Sequence, residues 1–448
     1  MQQIDPSIFK AYDIRGTYPD QFDEDIAYRI ARAYAQKIKP KLVVVGRDMR
    51  TSGPGIMDAV TRGLMEQGCD VIHIGMTSTP MFYYAVNALQ GDAGMMITAS
   101  HNPEGYNGFK MTGPQAIPSI TYVSNEELYH LANAGEFEPV ERQGEFRGEV
   151  SPLEGYIDAV LKASGVKDFG DLKIVIDAAN GMDGMILPHL FAKANCTVYP
   201  LYWEVDGTFP NHEANPLKEE TLEALKARVV AEGAHLGVAY DGDGDRVGFV
   251  DEKGQTIPGD MITALIAREM LKEKPGAKIV YDLRSSWAVK EEITAAGGEP
   301  VMYRVGHGLI KRYMREIGAY FAGELSSHYY FSNFFVTDNG DLAMLEIIKL
   351  LVDEKRPISE LVAPIMRYHH SPEINSKVKD VSAKLAEIKE RYKDGRQIEL
   401  DGLTVEYDDW WFNVRPSQTE PLLRLNVEAK TAADLEARTE ELLKIIRE

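Results

Sequence analysis

Cysteine is scarce in this sequence. Among 448 residues there are only Cys69 and Cys196, which lie far apart along the chain. A stabilising framework of disulfide bonds is therefore not indicated. We expect two free thiols in a reducing, cytoplasmic environment.

Long apolar segments and surplus positive charge are also lacking. No apolar run approaches the roughly 18 residues that a membrane-spanning helix needs, and the first residues lack the basic and apolar regions of a signal peptide. The chain has 49 Lys and Arg against 69 Asp and Glu, a net charge of −20. This surplus argues against nucleic acid or an anionic membrane as the partner. An anionic ligand would need a local basic cluster inside a cleft.

The residues that are present predict alternating strands and helices. Apolar residues 42–45, 71–74 and 95–97 are typical of buried strands, and residues 53–68 are typical of a helix between the first two. This alternation predicts a mainly parallel sheet covered by helices. The strand at 95–97 would present Ser100 at its carboxyl end, where ligands bind in such sheets.

Similar strand–helix–strand units follow at residues 173–202 and 278–304. They predict three related mixed α/β/α domains, although the side chains of the three units differ. The last segment has strands at 410–414 and 422–427 and a helix that begins near Thr431, which predicts a smaller α+β domain. We expect four domains around a central cleft: residues 1–150, 151–253, 254–367 and 368–448.

Two short segments carry the strongest chemical signal. Residues 98–103 read Thr-Ala-Ser-His-Asn-Pro and present the hydroxyl of Ser100 in a polar turn, and residues 241–246 read Asp-Gly-Asp-Gly-Asp-Arg. Three carboxylates so close together repel one another unless a cation binds them, and Mg²⁺ prefers such oxygen ligands. Together the segments predict phosphoryl transfer through a phosphoserine held at a metal ion.

A calcium loop of the EF-hand type is the main alternative for the acidic segment. Its spacing is similar, and Glu252 even lies at the twelfth position. However, Arg246 lies at the sixth position, where that loop needs glycine, and the flanking residues 236–240 and 247–250 are typical of strands rather than helices. We therefore expect a metal-binding hairpin.

Further motifs strengthen the prediction of phosphoryl transfer. Residues 9–16 read Phe-Lys-Ala-Tyr-Asp-Ile-Arg-Gly, residues 323–328 read Gly-Glu-Leu-Ser-Ser-His, and residues 415–421 read Arg-Pro-Ser-Gln-Thr-Glu-Pro. With these segments in this order, the chain resembles the phosphomannomutase/phosphoglucomutase enzymes of the α-D-phosphohexomutase superfamily. The resemblance extends over nearly the whole chain.

The resemblance implies a reversible exchange of mannose 6-phosphate and mannose 1-phosphate, with the glucose pair as further substrates. Phosphoserine 100 would form a hexose 1,6-bisphosphate, which also acts as activator, and Mg²⁺ would be the cofactor. The implied metal ligands are Ser100, Asp241, Asp243 and Asp245. The implied catalytic residues are Ser100, Lys110, His307, Arg15, Arg246 and His101. The implied substrate-binding residues are Glu324, Ser326, His328, Arg284, Arg415, Ser417, Gln418 and Thr419.

Several roles stay open at this stage. His101 either contacts phosphate or shapes the turn, and Arg246 either offsets charge during transfer or pairs with the aspartates. Lys110 and His307 are both candidates for the general acid or base. Arg284 would bind phosphate but would not donate a proton, because arginine stays charged.

The resemblance implies one further expectation for the sugar-binding segment at residues 323–328 and one for the phosphate-binding segment at residues 415–421. Glu324 and Ser326 would alternate on one face of an extended segment and contact the C3 and C4 hydroxyls, which mannose and glucose share. Gln418 departs from the Asn or Gly that relatives commonly have, so its side-chain contact stays open.

Three other functions compete with the mutase. A metal-dependent sugar phosphatase would use the same metal but transfer to water, a phosphoglucosamine mutase would use another sugar, and a silent phosphosugar-binding protein would not react. The expected partner is a small phosphosugar, with neither nucleic acid nor membrane. The expected assembly state is a monomer or a weak homo-oligomer.

Overall fold

The structure is a computed structural model that describes residues 3–192, 194–416 and 422–448. It has three domains that each contain a mixed sheet between helices, followed by a smaller antiparallel domain. The predicted fold class is thus confirmed. Nowhere in these three ranges does a helix combine the length and the hydropathy that crossing a membrane would require.

The first domain contains a six-stranded sheet in the order β1-β5-β4-β2-β3-β6. Strand β2 pairs in parallel with β3 and β4, whereas β5 runs antiparallel to both β4 and β1. The strands are β1 (Ile14–Thr17), β2 (Leu42–Arg47), β3 (Asp70–Met76), β4 (Ala93–Ile97), β5 (Tyr106–Thr112) and β6 (Phe146–Glu149). The helices are α1 (Glu24–Ile38), α2 (Gly53–Glu66), α3 (Thr79–Ala88) and α4 (Asn125–Ala134).

The second domain has a sheet in the order β11-β10-β9-β7-β8, in which β7 is parallel to β8 and β9. Its strands are β7 (Lys173–Asp177), β8 (Thr197–Leu201), β9 (Leu236–Tyr240), β10 (Val247–Val250) and β11 (Thr256–Ile257). Its helices are α5 (Leu153–Ser164), α6 (Asp183–Phe191) and α7 (Glu223–Glu232).

The third domain has a sheet in the order β13-β12-β14-β15-β16, in which β12 is parallel to β13 and β14. Its strands are β12 (Lys278–Asp282), β13 (Glu299–Tyr303), β14 (Phe321–Gly323), β15 (Tyr329–Phe331) and β16 (Thr337–Asp338). Its helices are α8 (Gly259–Glu273), α9 (Trp287–Ala295), α10 (His307–Ile317), α11 (Gly340–Glu354) and α12 (Ile358–Val362).

The fourth domain is an antiparallel sheet in the order β17-β22-β21-β20-β19, with β18 also paired to β22. Its strands are β17 (His369–His370), β18 (Ile374–Lys377), β19 (Arg396–Ile398), β20 (Leu403–Glu406), β21 (Trp410–Pro416) and β22 (Leu422–Ala429). Its helices are α13 (Val381–Arg391) and α14 (Ala432–Arg447).

The buried residues explain why the first three sheets lie between helices. In β2, Val43 and Val45 join the apolar cluster that contains α1 and α2, while Val44 joins a separate cluster with Phe82 of α3. Successive side chains of a strand point to opposite faces, so a strand that is apolar throughout must be covered on both sides.

The cores also show how the domains are joined. A single apolar cluster contains buried residues of the second and third domains, from Tyr156 of α5 to Ile365 beyond α12, so these two domains share a core; Met81 of α3 joins it from the first domain. The fourth domain has an apolar cluster of its own. Its core is therefore separate from the core that the second and third domains share.

Candidate active site

The site lies where parallel strands of three sheets end. The carboxyl end of β4 leads to Ser100, the end of β9 leads to Asp241, and the end of β14 leads to Glu324. Open α/β sheets bind their ligands at this edge. The fold thus brings residues that are far apart in sequence to one place.

The turn that follows β4 holds Ser100 in an unusual conformation. Ser100 is buried and has a φ of 53°, in the left-handed region that few residues other than glycine adopt. Its amide donates to Thr98 Oγ1 at 2.9 Å, and its own hydroxyl donates to Asp241 Oδ2 at 2.8 Å. The structure therefore directs this hydroxyl at the acidic hairpin of the second domain.

Arg50, which was not among the residues predicted from the sequence, holds this turn in place. Its guanidinium donates to the carbonyl oxygens of Ser100 at 2.9 Å, Asn102 at 2.6 Å, Pro103 at 2.6 Å and Tyr106 at 3.0 Å. Asp48 accepts from its Nε at 3.1 Å, and both side chains are fully buried. The available signal was an acid and a base directly after the buried strand β2, at the same sheet edge as Ser100.

We expect Arg50→Lys to lower kcat by roughly ten- to hundredfold, because a small displacement of a reacting group costs about that much. Lysine keeps the charge, but its ammonium group cannot replace a planar guanidinium that donates to five carbonyl oxygens, that of Glu104 among them. Steady-state kinetics and thermal unfolding would measure the effect. The exposed Arg62→Lys is the matched control. Unchanged kcat in Arg50→Lys would show that the turn holds itself.

Three aspartates form a buried cluster in the hairpin between β9 and β10. Asp241, Asp243 and Asp245 are fully buried, and one carboxylate oxygen of each lies within 4.8 Å of the others. Asp243 Oδ1 and Asp245 Oδ1 have no hydrogen-bond partner among the described residues. The flanking elements are antiparallel strands, not helices, so the calcium-loop alternative does not fit.

The electrostatics of the cluster favour a cation. Burial, and then repulsion from Asp243 and Asp245, raises the pKa of Asp241 to about 7. The cluster offers only oxygen ligands, which Mg²⁺ prefers, and two of these oxygens have no hydrogen-bond partner among the described residues. The donor set therefore fits Mg²⁺ held by the three aspartates, with the Ser100 hydroxyl beside it.

Lys110 of β5 contacts the same cluster. Its ammonium donates to Asp243 Oδ2 at 2.7 Å and to Asp245 Oδ2. Burial alone would lower the pKa of Lys110, but these two carboxylates raise it by more, so its pKa lies above the usual value. These two ion pairs therefore favour the charged ammonium form of Lys110.

His307, at the start of α10, has the properties of a base. Its Nε2 lies 3.0 Å from Asp13 Oδ1, and its Nδ1 has no hydrogen-bond partner among the described residues. Burial lowers the pKa of His307 more than Asp13 raises it. Asp13 also accepts from Arg15 Nη2 at 2.9 Å, and Arg15 Nη1 donates to Asn102 Oδ1 at 2.9 Å. Arg15 thus connects the histidine to the Ser100 turn.

His101 and Arg246 both lie beside Ser100 and Asp241. His101 Nδ1 is 3.2 Å from Ser100 Oγ, and burial together with the charge of Arg246 lowers the pKa of His101 well below its usual range. Arg246 Nε is 3.9 Å from Asp241 Oδ2, and it is 3.1 Å from His328 Nε2. The ion pair considered for Arg246 is therefore present, and its role during transfer stays a prediction.

The expectation for Glu324 and Ser326 was wrong in one respect. The two residues do not lie in an extended segment; they lie in the turn between β14 and β15, where the Ser327 amide donates to the Glu324 carbonyl at 3.0 Å. A chain reversal at this point lets β15 pair antiparallel with β14. Ser326 Oγ is 3.3 Å from His328 Nδ1.

The Glu324 carboxylate already has protein partners. It accepts from the Gly306 amide at 2.9 Å and from the Tyr330 hydroxyl, and His328 Nδ1 lies at 3.3 Å. Burial raises the pKa of Glu324, but His328 lowers it by more, to about 2. A carboxylate accepts about four hydrogen bonds, so acceptor capacity for a sugar hydroxyl remains.

Arg284 and Arg415 lie at the edge of the site where the third and fourth domains meet. Arg284 forms a two-pronged ion pair with Asp282, at 3.0 and 2.8 Å, and Arg415 Nη2 donates to Glu373. Both arginines are largely buried. The expected phosphate-binding residues Ser417, Gln418 and Thr419 lie outside the described residues.

The structure brings most of the predicted residues together. A continuous series of contacts links Ser100, His101, Arg15, His307, Lys110, the three aspartates, Arg246, His328, Ser326 and Glu324. Arg284 and Arg415 form a second, basic group. Besides Arg50, the residues that the sequence analysis missed are Asp13, which orients His307, and Glu373, which pairs with Arg415.

Comparison with known protein families finds four matches along the chain. "Phosphoglucomutase/phosphomannomutase, alpha/beta/alpha domain I" matches residues 6–138, domain II matches 154–254 and domain III matches 258–368. The C-terminal domain of the same family matches residues 373–445.

Individual proteins are similar over the full length. The chain is 39% identical over 449 residues to a phosphomannomutase of Salmonella montevideo, with 98% of each chain covered. It is 38% identical over 444 residues to a phosphomannomutase/phosphoglucomutase of Pseudomonas aeruginosa, covering 96% of this chain and 93% of that one. A crystal structure of a phosphoglucomutase/phosphomannomutase family protein from Burkholderia thailandensis superposes with a TM-score of 0.90 at 33% identity, covering 99% of this chain and 97% of that one.

Proposed function

The chain belongs to the phosphoglucomutase/phosphomannomutase family and is an isomerase, and from this premise we propose its substrates and mechanism. The reaction is the reversible exchange of mannose 6-phosphate and mannose 1-phosphate, and of the corresponding glucose phosphates. It proceeds through phosphoserine 100 and a hexose 1,6-bisphosphate. The Salmonella relative is named for the mannose reaction and the Pseudomonas relative for both.

The observation that carries the proposal is the position of the Ser100 hydroxyl. It donates to Asp241 at 2.8 Å, inside a buried cluster of three aspartates from another domain. A serine that serves only as a turn residue needs no such partner. A serine that carries a phosphoryl group needs both cation chemistry and shelter from water.

Asp241, Asp243 and Asp245 would hold Mg²⁺, with an oxygen of Ser100 as a further ligand. The ion would supply positive charge that stabilises the transferring phosphoryl group. Lys110 and Arg246 add fixed positive charge on either side of the aspartates.

The transfer step itself follows from the positions of the protein groups. The sugar hydroxyl attacks the phosphorus of phosphoserine 100, the bond between phosphorus and the serine oxygen breaks, and a bond to the sugar oxygen forms. His307 accepts the hydroxyl proton, while Asp13 fixes the orientation of its ring from Nε2. Its Nδ1, which lies 3.6 Å from Asp338 Oδ2 and has no hydrogen-bond partner among the described residues, is the nitrogen that remains for this role. The reverse transfer, from the other end of the sugar, returns the phosphoryl group to Ser100.

Between the two transfers the bisphosphate must turn end over end. The phosphate that is not reacting therefore needs a second binding site, for which Arg415 and Arg284 are suited by charge and position. Glu324 and Ser326 would contact the C3 and C4 hydroxyls between the two sites. Because mannose and glucose differ at C2, these contacts would accept both sugars.

The two main alternatives differ in measurable ways. A metal-dependent phosphatase would release inorganic phosphate and would not respond to hexose 1,6-bisphosphate. A phosphoglucosamine mutase would favour glucosamine 1-phosphate.

A parallel assay of mannose, glucose, glucosamine and N-acetylglucosamine 1-phosphates, with and without bisphosphate, would test the proposal. We expect activation by bisphosphate and turnover of the first two sugars.

The pH profile would test His307 as the base. Burial lowers the pKa of His307 below the usual value near 6.5. A base must be unprotonated to accept a proton, so kcat/KM should fall as the pH drops through this lowered pKa. The charged groups around it are Asp13, Asp338 and Lys311.

Asp13→Asn removes a negative charge that raises the pKa of His307, so the acidic limb of its profile should move to lower pH while kcat falls. A limb that stays in place would assign the proton transfer to another group.

A further inference from the structure

Glu373 lies at the centre of three arginines. Its carboxylate accepts from Arg415 Nη2, lies 3.3 Å from Arg424 Nη1 and lies 3.9 Å from Arg284 Nη1. It directly precedes β18, so the fourth domain supplies it together with Arg415 and Arg424, while Arg284 comes from the third domain. The ion pairs therefore span the boundary between these two domains.

The sheet register favours an anion at this position. Arg415 of β21 and Arg424 of β22 lie directly opposite each other on antiparallel strands. Like charges at such positions destabilise a sheet. Glu373 bridges the two guanidinium groups and so removes this repulsion.

The arginines still have capacity for another ligand. Arg415 Nε and Arg424 Nε are buried and have no hydrogen-bond partner within the described part of the chain. The three guanidinium groups and the Asp282 carboxylate together have a net charge of about +2. The carboxylate of Glu373 neutralises one of these two positive charges. A phosphate monoester, with a charge of about −1.5 to −2, would neutralise these two charges more completely than the single carboxylate does, provided that Glu373 moves away.

We propose that Glu373 is an internal substitute for the substrate phosphate, which binds the three arginines whenever that phosphate is absent. The Glu373 carboxylate is then a competing anion at the phosphate site, a role that rests on the proposed function. Binding of the phosphosugar displaces the Glu373 carboxylate from Arg415 and Arg424, and release of the phosphate lets the carboxylate return.

The exchange bears on the turning of the bisphosphate. To turn, the intermediate must release its distal phosphate from the arginines while it stays within the closed site. If the Glu373 carboxylate takes the position that the phosphate leaves, the arginines always have an anionic partner. Release of the phosphate then costs less free energy than it would if the arginines lost all their contacts. Glu373 thus weakens phosphate binding but speeds the step in which the intermediate reorients.

Glu373→Gln gives opposite expectations for a competitor and for a purely structural residue. If Glu373 competes with phosphate, Glu373→Gln should bind inorganic phosphate roughly tenfold more tightly or better. In the Ser100→Ala background, the same change should tighten the binding of glucose 6-phosphate by a similar factor. It should also lower both KM and kcat, because the distal phosphate then leaves more slowly. Calorimetry and steady-state kinetics on the full-length enzyme measure these quantities.

Thermal unfolding covers the possibility that the variant folds poorly. Without Glu373, the repulsion between Arg415 and Arg424 should lower Tm in phosphate-free buffer, and added phosphate should raise Tm more than in the wild-type enzyme. Glu373→Asp, which keeps the charge, should restore affinities towards the wild-type values.

Glu399→Gln makes the same charge change at the exposed pair with Lys389 and should leave phosphate binding unchanged. Weaker or unaltered phosphate binding by Glu373→Gln would overturn the inference. If the wild-type enzyme binds and converts phosphosugars in that case, the proposed function still stands. Failure of the wild-type enzyme to bind any phosphosugar would instead reject the proposed function.

Discussion

Ser100→Ala is expected to lower mutase turnover by roughly 10⁴-fold or more, the range found when a covalent nucleophile is removed. The hydroxyl is the proposed acceptor of the phosphoryl group, and alanine has no oxygen that could accept it. The Oγ atom lies 2.8 Å from Asp241 Oδ2, so the change also removes one oxygen from the proposed metal site. Turnover with added hexose 1,6-bisphosphate is the measurement.

A second buried serine of the same domain provides the control. Ser119 is as buried as Ser100, and its hydroxyl has no partner in the described ranges. Ser119→Ala should therefore keep its activity. If Ser100→Ala turns over substrate at the wild-type rate, phosphoserine 100 cannot be the phosphoryl carrier.

Asp243→Asn is expected to weaken Mg²⁺ binding and lower turnover by about a hundredfold or more. Loss of a group that merely orients a metal ligand already costs about 10–100-fold. Here a charged ligand is lost, and the change also affects Lys110 and Thr79, which bond to Asp243 Oδ2 at 2.7 and 2.6 Å. Metal titration by calorimetry and turnover at increasing Mg²⁺ would measure both effects.

Higher Mg²⁺ should recover part of the activity of Asp243→Asn, because a weakened site fills at higher concentration. Asp171→Asn, which changes an exposed residue of the same domain, should match the wild-type enzyme. Full activity of the wild-type enzyme after chelation would contradict the metal assignment.

The parts of the site that the sequence predicted are those in which neighbouring residues carry the chemistry. The three aspartates alternate with glycines in a hairpin, so their convergence follows from the local chain alone. Ser100 was identified for a similar reason, since it follows a fully apolar strand in a short polar turn. The three-domain organisation followed from repeated strand–helix–strand units, which depend on local patterns of apolar residues.

Residues that act through distant partners were not predictable in this way. Arg50 contacts carbonyl oxygens more than 50 positions away, as well as that of Ser100. Asp13 pairs with His307, which is 294 positions away. The residues after β2 place Arg50 at the sheet edge of Ser100, but the sequence does not identify the partners of Arg50 or Asp13, because these contacts form only when sheets and domains pack.

The segment around Glu324 shows a different limit. Alternating apolar and polar residues favour an extended strand, but three residues of β14 and three of β15 form a hairpin instead. Pairing between the two short strands and the hydrogen bonds of Glu324 to Gly306 and Tyr330 determine the turn. Tertiary contacts here outweigh the local pattern.

The most direct test of the account is to find where a phosphoryl group resides on the enzyme. Glucose 1,6-bisphosphate with labelled phosphorus would be mixed with the enzyme, the protein digested, and the label located by mass spectrometry. We expect a single labelled site at Ser100, whose label passes to added mannose 1-phosphate to give the bisphosphate. Label at another residue, or label lost to water faster than to sugar, would contradict it.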